Sequence, residues 1–209
     1  FGMTESITAN IATPLFEERR YDEEGQGQNP ALGRPALSQE VKIVDENHKE
    51  VQDGTIGEIA IKSPSFMAGY YKNPEATIET LKNGWLYTGD NGYKNEEGYI
   101  WFVDRNKDMI KRSGENISSL EVESVINSHP AVHESAVVAV PDEIRDESVK
   151  AFIQLHEGET LSAEEIASFC KEQLSDFKVP EYFEFVTKFP RTSIGKIQKN
   201  VLRKNSKRI

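Results

Sequence analysis

The 209-residue chain has a single cysteine, few tryptophans and methionines, and no long uninterrupted apolar run. A lone cysteine excludes an internal disulfide and suits a reducing compartment, so we predict a cytoplasmic protein. A helix needs about 20 apolar residues to span a bilayer, so we predict no transmembrane segment. Cys170 lies in an amphipathic pattern, which predicts a buried structural thiol rather than a nucleophile.

Positive charge is also scarce, with 25 Lys and Arg residues against 35 Asp and Glu residues and a net charge of −10. This balance argues against a nucleic-acid binder, for which DNA affinity would depend steeply on salt. From Lys188 onward, however, the chain has basic residues and no acidic ones. That end is either a solvated tail, above all at Lys204, Lys207 and Arg208, or a surface that faces an anion. In the second case, Lys196 is the residue that we expect to contact the anion.

What is present divides into two halves. Residues 10–106 contain short period-2 runs separated by Asp53-Gly54, followed by several glycines and the apolar strand "YIWFV". This pattern predicts an antiparallel β unit, a partial barrel, with a hairpin between the two runs. The fold class that we predict is α+β, with a β-rich domain over residues 1–106 and a small α+β domain over residues 107–209.

The second half mixes helices with strands. Ser118–Glu121 and Ser162–Glu165 match capping boxes and therefore predict two helix starts. The runs "ESAVVAV", "VKAFIQL" and "YFEFV" predict a buried strand, a half-exposed strand and a third strand, and a basic helix follows "PRTSIGKI". The apolar positions of the second helix predict core residues, which are Ile166, Phe169, Cys170, Leu174 and, beyond them, Phe177.

Several segments together resemble the adenylate-forming enzymes, the superfamily of acyl-CoA synthetases, luciferases and nonribosomal adenylation domains. The segments, in order, are "FGMTE", "GEIAIKSPSFMAGYY", "GWLYTGD", "DRNKDMIKRSGENISSLEVE" and "RTSIGKIQK". The resemblance implies a two-step reaction in which a carboxylate attacks the α-phosphate of ATP to give acyl-AMP and pyrophosphate. A thiol, usually that of CoA, then takes the acyl group.

The same resemblance implies roles for residues of the first half. Phe1 would stack on adenine, Thr4 would hydrogen-bond the α-phosphate, and Glu5 would ligate Mg²⁺, a hard cation that prefers oxygen. Asp90 would accept hydrogen bonds from the ribose hydroxyls, and Arg105 would reach the ribose or a phosphate. Ordinary local roles stay open: an N-cap threonine with a first-turn glutamate, a turn aspartate, and a surface ion pair.

Roles for the second half follow in the same way. Lys196 would bridge the carboxylate and the α-phosphate during adenylation, unless it is merely one more lysine of the basic tail. The stretch Phe102–Ile117 is either a plain surface linker, a phosphate grip or a hinge. The resemblance implies a hinge at Lys107, with Asp104 and Arg105 facing the nucleotide and Asp108 solvated. After rotation, the turn Ser113, Gly114 and Glu115 would approach CoA, with Lys111 as an additional cation.

The closest likeness within the superfamily is to bacterial acyl-CoA synthetases of the fatty-acid and carnitine/crotonobetaine type. The implied substrates are a small carboxylic acid, ATP and CoA, and an oligomer is compatible with the sequence. Two alternatives remain, a non-catalytic interaction or regulatory module and another adenylate-forming ligase subclass. A nonribosomal adenylation domain would normally continue into a carrier domain.

The family's Gly/Ser/Thr-rich phosphate loop has no counterpart in these residues, so we interpret the chain as the C-terminal portion of a synthetase. We therefore predict that the 209-residue fragment alone is inactive, because nothing in it would cradle the β- and γ-phosphates. The measurement is ATP–pyrophosphate exchange by the purified fragment with a range of carboxylic acids. Robust exchange would contradict this interpretation.

Overall fold

A computed structural model describes residues 1–7, 10–13 and 31–206 of the chain. The chain divides into two compact units, Phe1–Lys107 and Asp108–Ile209. Lys207 and Arg208 of the predicted basic tail lie outside the described residues. Across the part that is described, none of the helices combines the length and apolar character that crossing a membrane would require.

The first unit is mainly β-structure, with a short 3-10 turn at Thr4–Ser6. Its elements are β1 (Ile11–Ala12), β2 (Arg34–Pro35), β3 (Glu40–Val44), β4 (Gly57–Lys62), α1 (Pro74–Thr80), β5 (Leu81–Lys82), β6 (Trp85–Lys94) and β7 (Ile100–Arg105). The main sheet has the order β3-β4-β6-β5, and β7 pairs with β6. Among the described residues this sheet is open and antiparallel, so the β-rich character is confirmed without a closed barrel.

The predicted hairpin of the first unit is confirmed as the antiparallel pair β3 and β4. Its alternating isoleucines point inward, and Ile43 pairs directly with Ile59. They form a core with the other buried isoleucines of the unit, Ile11, Ile61 and Ile100. Helix α1 was not expected from the sequence, although Asn73 caps it and Pro74 opens it, which are ordinary signals of a helix start.

In the described residues, the second unit contains three helices, a 3-10 turn and a five-stranded sheet. Its elements are β8 (Ile110–Arg112), β9 (Glu115–Ile117), α2 (Ser119–Asn127), β10 (Val132–Asp142), β11 (Asp146–Leu155), α3 (Ala163–Lys171), a 3-10 turn (Asp176–Lys178), β12 (Tyr182–Phe185) and α4 (Lys199–Asn205). The order is β10-β11-β8-β9, and β12 runs parallel to β11. The α+β class is therefore confirmed.

Strand β11 was predicted to be half-exposed, and this is wrong, because its residues 148–153 are all buried. One face, with Val149 and Ile153, packs into the cluster that contains α2 and α3 residues. The other face, with Phe152, packs against Phe189 and Leu202. Alternation of polar and apolar residues signals exposure only when one face of a sheet is left open, and here both are covered.

The caps of the second unit follow the sequence in part. Ser162 and Glu165 form the complete predicted capping box of α3. Ser118 caps α2 as predicted, but the carboxylate of Glu121 pairs with Lys178 instead of closing a box. Cys170 is fully buried as predicted, and burial raises the pKa of its thiol to about 11. The prediction that Phe177 is a core residue is wrong, since it is 39% exposed.

Candidate functional site

Strands β6 and β7 bring Asp90 and Arg105 together as directly opposed residues. Arg105 Nε lies 3.6 Å from Asp90 Oδ1, and the Asp90 side chain is 17% exposed against 52% for that of Arg105. The alternative of a turn aspartate is therefore wrong, because Asp90 lies within a strand. The alternative of an ion pair for Arg105 is present in the structure, with Asp90 as its partner.

The backbone around Gly89 is fixed from three sides. The Gly89 N–H donates to a Glu58 carboxylate oxygen at 2.8 Å, and its carbonyl accepts from the Asn106 N–H at 2.8 Å. The neighbouring Thr88 hydroxyl donates to the Ile59 carbonyl at 2.8 Å. Gly89, directly before Asp90, has φ of +72°, a left-handed conformation that favours glycine.

The electrostatics of Asp90 combine opposing effects. Burial is the largest, and it raises the pKa of this carboxyl above the ordinary value of 3.8. The Arg105 guanidinium lowers that pKa, while the Asp104 and Glu58 carboxylates raise it again. A carboxylate in a partly buried place with a raised pKa and a neighbouring cation is a candidate for a functional group.

The N-terminal segment presents Thr4 and Glu5 on the 3-10 turn. Thr4 is exposed and is not the N-cap, since Met3 precedes the turn, so the alternative N-cap role of Thr4 is wrong. Glu5 is half-buried, and its Oε1 accepts a hydrogen bond from the Tyr70 hydroxyl at 2.8 Å. Burial and this bond raise the pKa of Tyr70.

Glu5 fits the predicted role of a magnesium ligand in its chemistry. One carboxylate oxygen is oriented by Tyr70, and no described residue hydrogen-bonds the other. Mg²⁺ is commonly held by one or two carboxylates together with substrate phosphates, so a single protein ligand suffices. The Tyr70 contact was missed from the sequence, although "GYY" ends a segment that carries the resemblance.

Phe1, the predicted adenine-stacking residue, is partly buried against the isoleucine core of the first unit. Its carbonyl accepts hydrogen bonds from the N–H groups of Asn10 and Ile11, at 2.8 and 3.2 Å. These contacts fix the backbone of Phe1 beside strand β1.

In the second unit, Lys196 lies at the end of a tight turn that is closed by an antiparallel bridge between Arg191 and Ile197. The Lys196 carbonyl accepts from the Thr192 N–H at 2.8 Å, and the Lys196 N–H donates to the Thr192 hydroxyl at 3.1 Å. Arg191 pairs with Glu134 and donates to the Gly195 carbonyl. The turn is thus ordered, while the Lys196 side chain is exposed and pairs with no side chain of the described residues.

Helix α4, which follows this turn, is fixed at both ends by ion pairs that the sequence did not reveal. At its start, Lys199 Nζ lies 2.6 Å from the buried Glu123 carboxylate and donates to the Ser119 hydroxyl at 2.8 Å. Near its end, Arg203 pairs with Asp108. No local pattern signals pairs between residues that are 76 and 95 positions apart.

The predicted hinge residue, Lys107, is exposed and is the last residue of the first unit. The expectation that Asp108 stays solvated is wrong, because it is 9% exposed and paired with Arg203. Asp104, expected to face the nucleotide together with Arg105, is 2% exposed, and its carboxylate accepts from the Arg105 N–H. Consecutive residues of a strand point to opposite faces of the sheet, so the side chains of Asp104 and Arg105 do not lie on the same face.

The Ser113-Gly114 turn joins β8 to β9 as a two-residue hairpin loop. Both residues have positive φ, 51° and 87°, as a type I′ turn requires. Glu115 begins β9 and is exposed, as are Lys111, Ser113 and Gly114. No contact among the described residues joins this turn to Lys196.

Comparison with known proteins identifies both units. Residues 1–71 match the family described as AMP-binding enzyme, and residues 121–196 match the AMP-binding enzyme C-terminal domain. Crotonobetaine/carnitine–CoA ligase of Citrobacter koseri is 44% identical over 97% of this chain. That match covers 38% of the relative, so the chain spans well under half of its length.

Solved structures agree with these matches. ATP-bound MatB from Rhodopseudomonas palustris superposes with a TM-score of 0.84 at 34% identity, over 97% of this chain and 39% of that one. The anthranilate CoA ligase AuaEII in complex with anthranoyl-AMP superposes with a TM-score of 0.83 at 35% identity, over 97% and 38%. On these grounds, the chain belongs to the AMP-binding enzyme family.

Proposed function

We propose that this chain is the C-terminal part of an acid–thiol ligase that converts a carboxylic acid to its CoA thioester through acyl-AMP. Residues 1–106 would end the large AMP-binding domain, and residues 107–209 would form a small mobile domain. The observation that carries the proposal is the cross-strand pair of Asp90 and Arg105, in which a largely buried carboxylate lies 3.6 Å from an exposed guanidinium, and burial raises the pKa of that carboxyl. Its two oxygens suit the two hydroxyls of a ribose.

In the first step, the substrate carboxylate attacks the α-phosphorus of ATP, and pyrophosphate leaves. Both reactants are anionic, so the protein's task is to position them and to neutralise charge. Thr4 would donate a hydrogen bond to the α-phosphate, Arg105 would contact the ribose or a phosphate, and Phe1 would stack on adenine. Lys196 would bridge the attacking carboxylate and the phosphate. Mg²⁺, held by Glu5, would offset phosphate charge.

In the second step, the thiol of CoA attacks the acyl carbon, and AMP leaves. The Ser113, Gly114 and Glu115 turn would face CoA in this state, and Lys107 would supply the pivot between the two states. Gly114 supports this role, because an added Cβ would find no atom within 4 Å and the backbone is therefore open to a ligand.

The direct test separates the two half-reactions in the full-length enzyme. Pyrophosphate exchange is measured with a panel that includes carnitine, crotonobetaine, a dicarboxylate, an aromatic acid and fatty acids. Thioester formation is then measured from supplied acyl-AMP and CoA. Activity in both assays with at least one acid supports the proposal. Absence of both would favour a non-catalytic module, and transfer to an acceptor other than CoA would favour another ligase subclass.

The raised pKa of Asp90 predicts a pH dependence of nucleoside binding. Ribose hydroxyls donate to a carboxylate more strongly than to a neutral acid, so affinity should fall as pH drops through the Asp90 pKa. Because burial raises that pKa, the loss should begin at higher pH than for an ordinary aspartate. The measurement is calorimetric titration of the full-length enzyme with adenosine, whose sugar has no titrating phosphate.

Two variants sharpen this experiment. Arg105→Gln removes the cation that lowers the Asp90 pKa, so the midpoint of the pH curve should move upward. Lys94→Gln, on the same strand as Asp90, removes a cation that pairs with Glu50 and Asp53, and it should leave the midpoint unchanged. A midpoint that stays fixed or moves downward in Arg105→Gln would contradict the role of Asp90.

A further inference from the structure

Glu181, which directly precedes β12, has a carboxylate on which three side chains converge. Arg112 and Arg145 both pair with Oε1, and the Ser148 hydroxyl donates to Oε2 at 2.5 Å. The Glu181 N–H donates to the Val149 carbonyl at 3.0 Å, which fixes its backbone to β11. The carboxylate therefore has a defined place and two cationic partners.

Both arginines adjoin the Ser113-Gly114 turn. Arg112 is the residue directly before the turn, and its side chain is only 10% exposed. Arg145 contributes its backbone, because its carbonyl accepts the Ser113 N–H at 2.9 Å. One carboxylate thus holds the turn from its own strand and from the neighbouring β10–β11 loop.

The pairing is not an ordinary surface ion pair. The Arg112 guanidinium also donates to the Phe177 carbonyl, so its charge is enclosed by acceptors at low exposure. Charge-assisted bonds in such a place are stronger than exposed ones, and removing one partner leaves the other buried charge without compensation. Without the Glu181 charge, two arginines would face each other across a neutral group.

Resting on the proposed function, in which this turn faces CoA, we infer that Glu181 is a positioning residue for the thiol-transfer step. It holds the turn through Arg112 and Arg145 and contacts no reacting atom. The adenylation step does not depend on it, because the Lys196 turn is held by a separate set of contacts through Arg191 and Thr192.

The test compares Glu181→Gln with Glu184→Gln in the full-length enzyme. Glu184 lies three residues further on, in β12, and pairs with Lys150 at 2.8 Å, away from the turn. For Glu181→Gln we expect the thioester rate from supplied acyl-AMP to fall about tenfold or more, with a raised KM for CoA. Pyrophosphate exchange should stay within about twofold of wild type. Glu184→Gln also removes the carboxylate partner of a buried cation, Lys150, so it controls for the general cost of that loss, and it should leave the ratio of the two half-reaction rates unchanged.

Amide hydrogen exchange of residues 110–117 gives a readout that does not depend on activity. Faster exchange in Glu181→Gln, restored by Glu181→Asp, supports the inference. Equal behaviour of the two glutamine variants, or a parallel loss of both half-reactions with a lowered Tm, would overturn it while leaving the proposed function intact. A wild-type enzyme without either half-reaction would overturn the proposed function and with it any role of this turn in thiol transfer.

Discussion

Replacing Lys196 with alanine in the full-length enzyme is expected to slow acyl-AMP formation by about 10² to 10³-fold. A contact made to charge that develops in the transition state contributes roughly 3–4 kcal/mol, which corresponds to this factor. Thioester formation from supplied acyl-AMP should survive largely intact, because the bond to the α-phosphorus is already made. The measurements are pyrophosphate exchange and the single-step thioester assay.

The Lys196→Ala substitution should remove the side chain without disturbing the turn. The turn is closed by backbone groups of Lys196 and by Thr192, and neither contact needs the lysine side chain. Alanine should therefore preserve the turn, with a free energy of unfolding within about 0.5 kcal/mol of wild type. Lys188→Ala is the matched control, since Lys188 is an exposed lysine of the same basic segment. Equal loss in both half-reactions would assign Lys196 to folding or general binding.

Replacing Lys107 with proline is expected to reduce thioester formation by about 100-fold and to spare adenylation. Proline fixes φ near −65° and restricts the residue before it. If the backbone at Lys107 must adopt two conformations, the proline variant can therefore adopt only one of them. A misplacement of about 1 Å at a reacting centre costs a factor of this order. We expect the adenylation state to be the one retained.

The residues on both sides of Lys107 are fixed. The Asn106 N–H donates to the Gly89 carbonyl in the first unit, and Asp108 pairs with Arg203 in the second. A rotation between the units would therefore concentrate in the torsions at Lys107. Lys107→Ala removes the charge but leaves the torsions free, so this control should retain both half-reactions. Near-wild-type rates of both steps in Lys107→Pro would exclude Lys107 as the hinge.

Local signals in the sequence were sufficient for many elements. The alternating isoleucines of β3 and β4 and the capping box at Ser162 report interactions between residues that are close in the chain or in one repeating pattern. The buried Cys170 followed from helical periodicity in the same way. Such signals depend on backbone geometry, which neighbouring residues dictate.

Expectations failed where a distant segment competed for a side chain. The Glu121 carboxylate pairs with Lys178, 57 residues away, instead of completing the predicted capping box. Asp108 is buried in an ion pair with Arg203. Asp104 is buried within β7, the strand that also contains Arg105. A charged residue in a short stretch of sequence is predicted to be exposed to solvent, because nothing in that stretch reveals a distant partner of opposite charge.

The sequence by itself determined the main strands and helices other than α1, the order of the family segments and thus the candidate residues from Phe1 to Lys196. Only the tertiary structure decided that Asp90 lies opposite Arg105, that β11 is covered on both faces, and that Glu181 forms ion pairs with two arginines. The physical reason is range: periodicity and capping act over a few residues, whereas burial and ion pairing depend on segments that folding alone brings together.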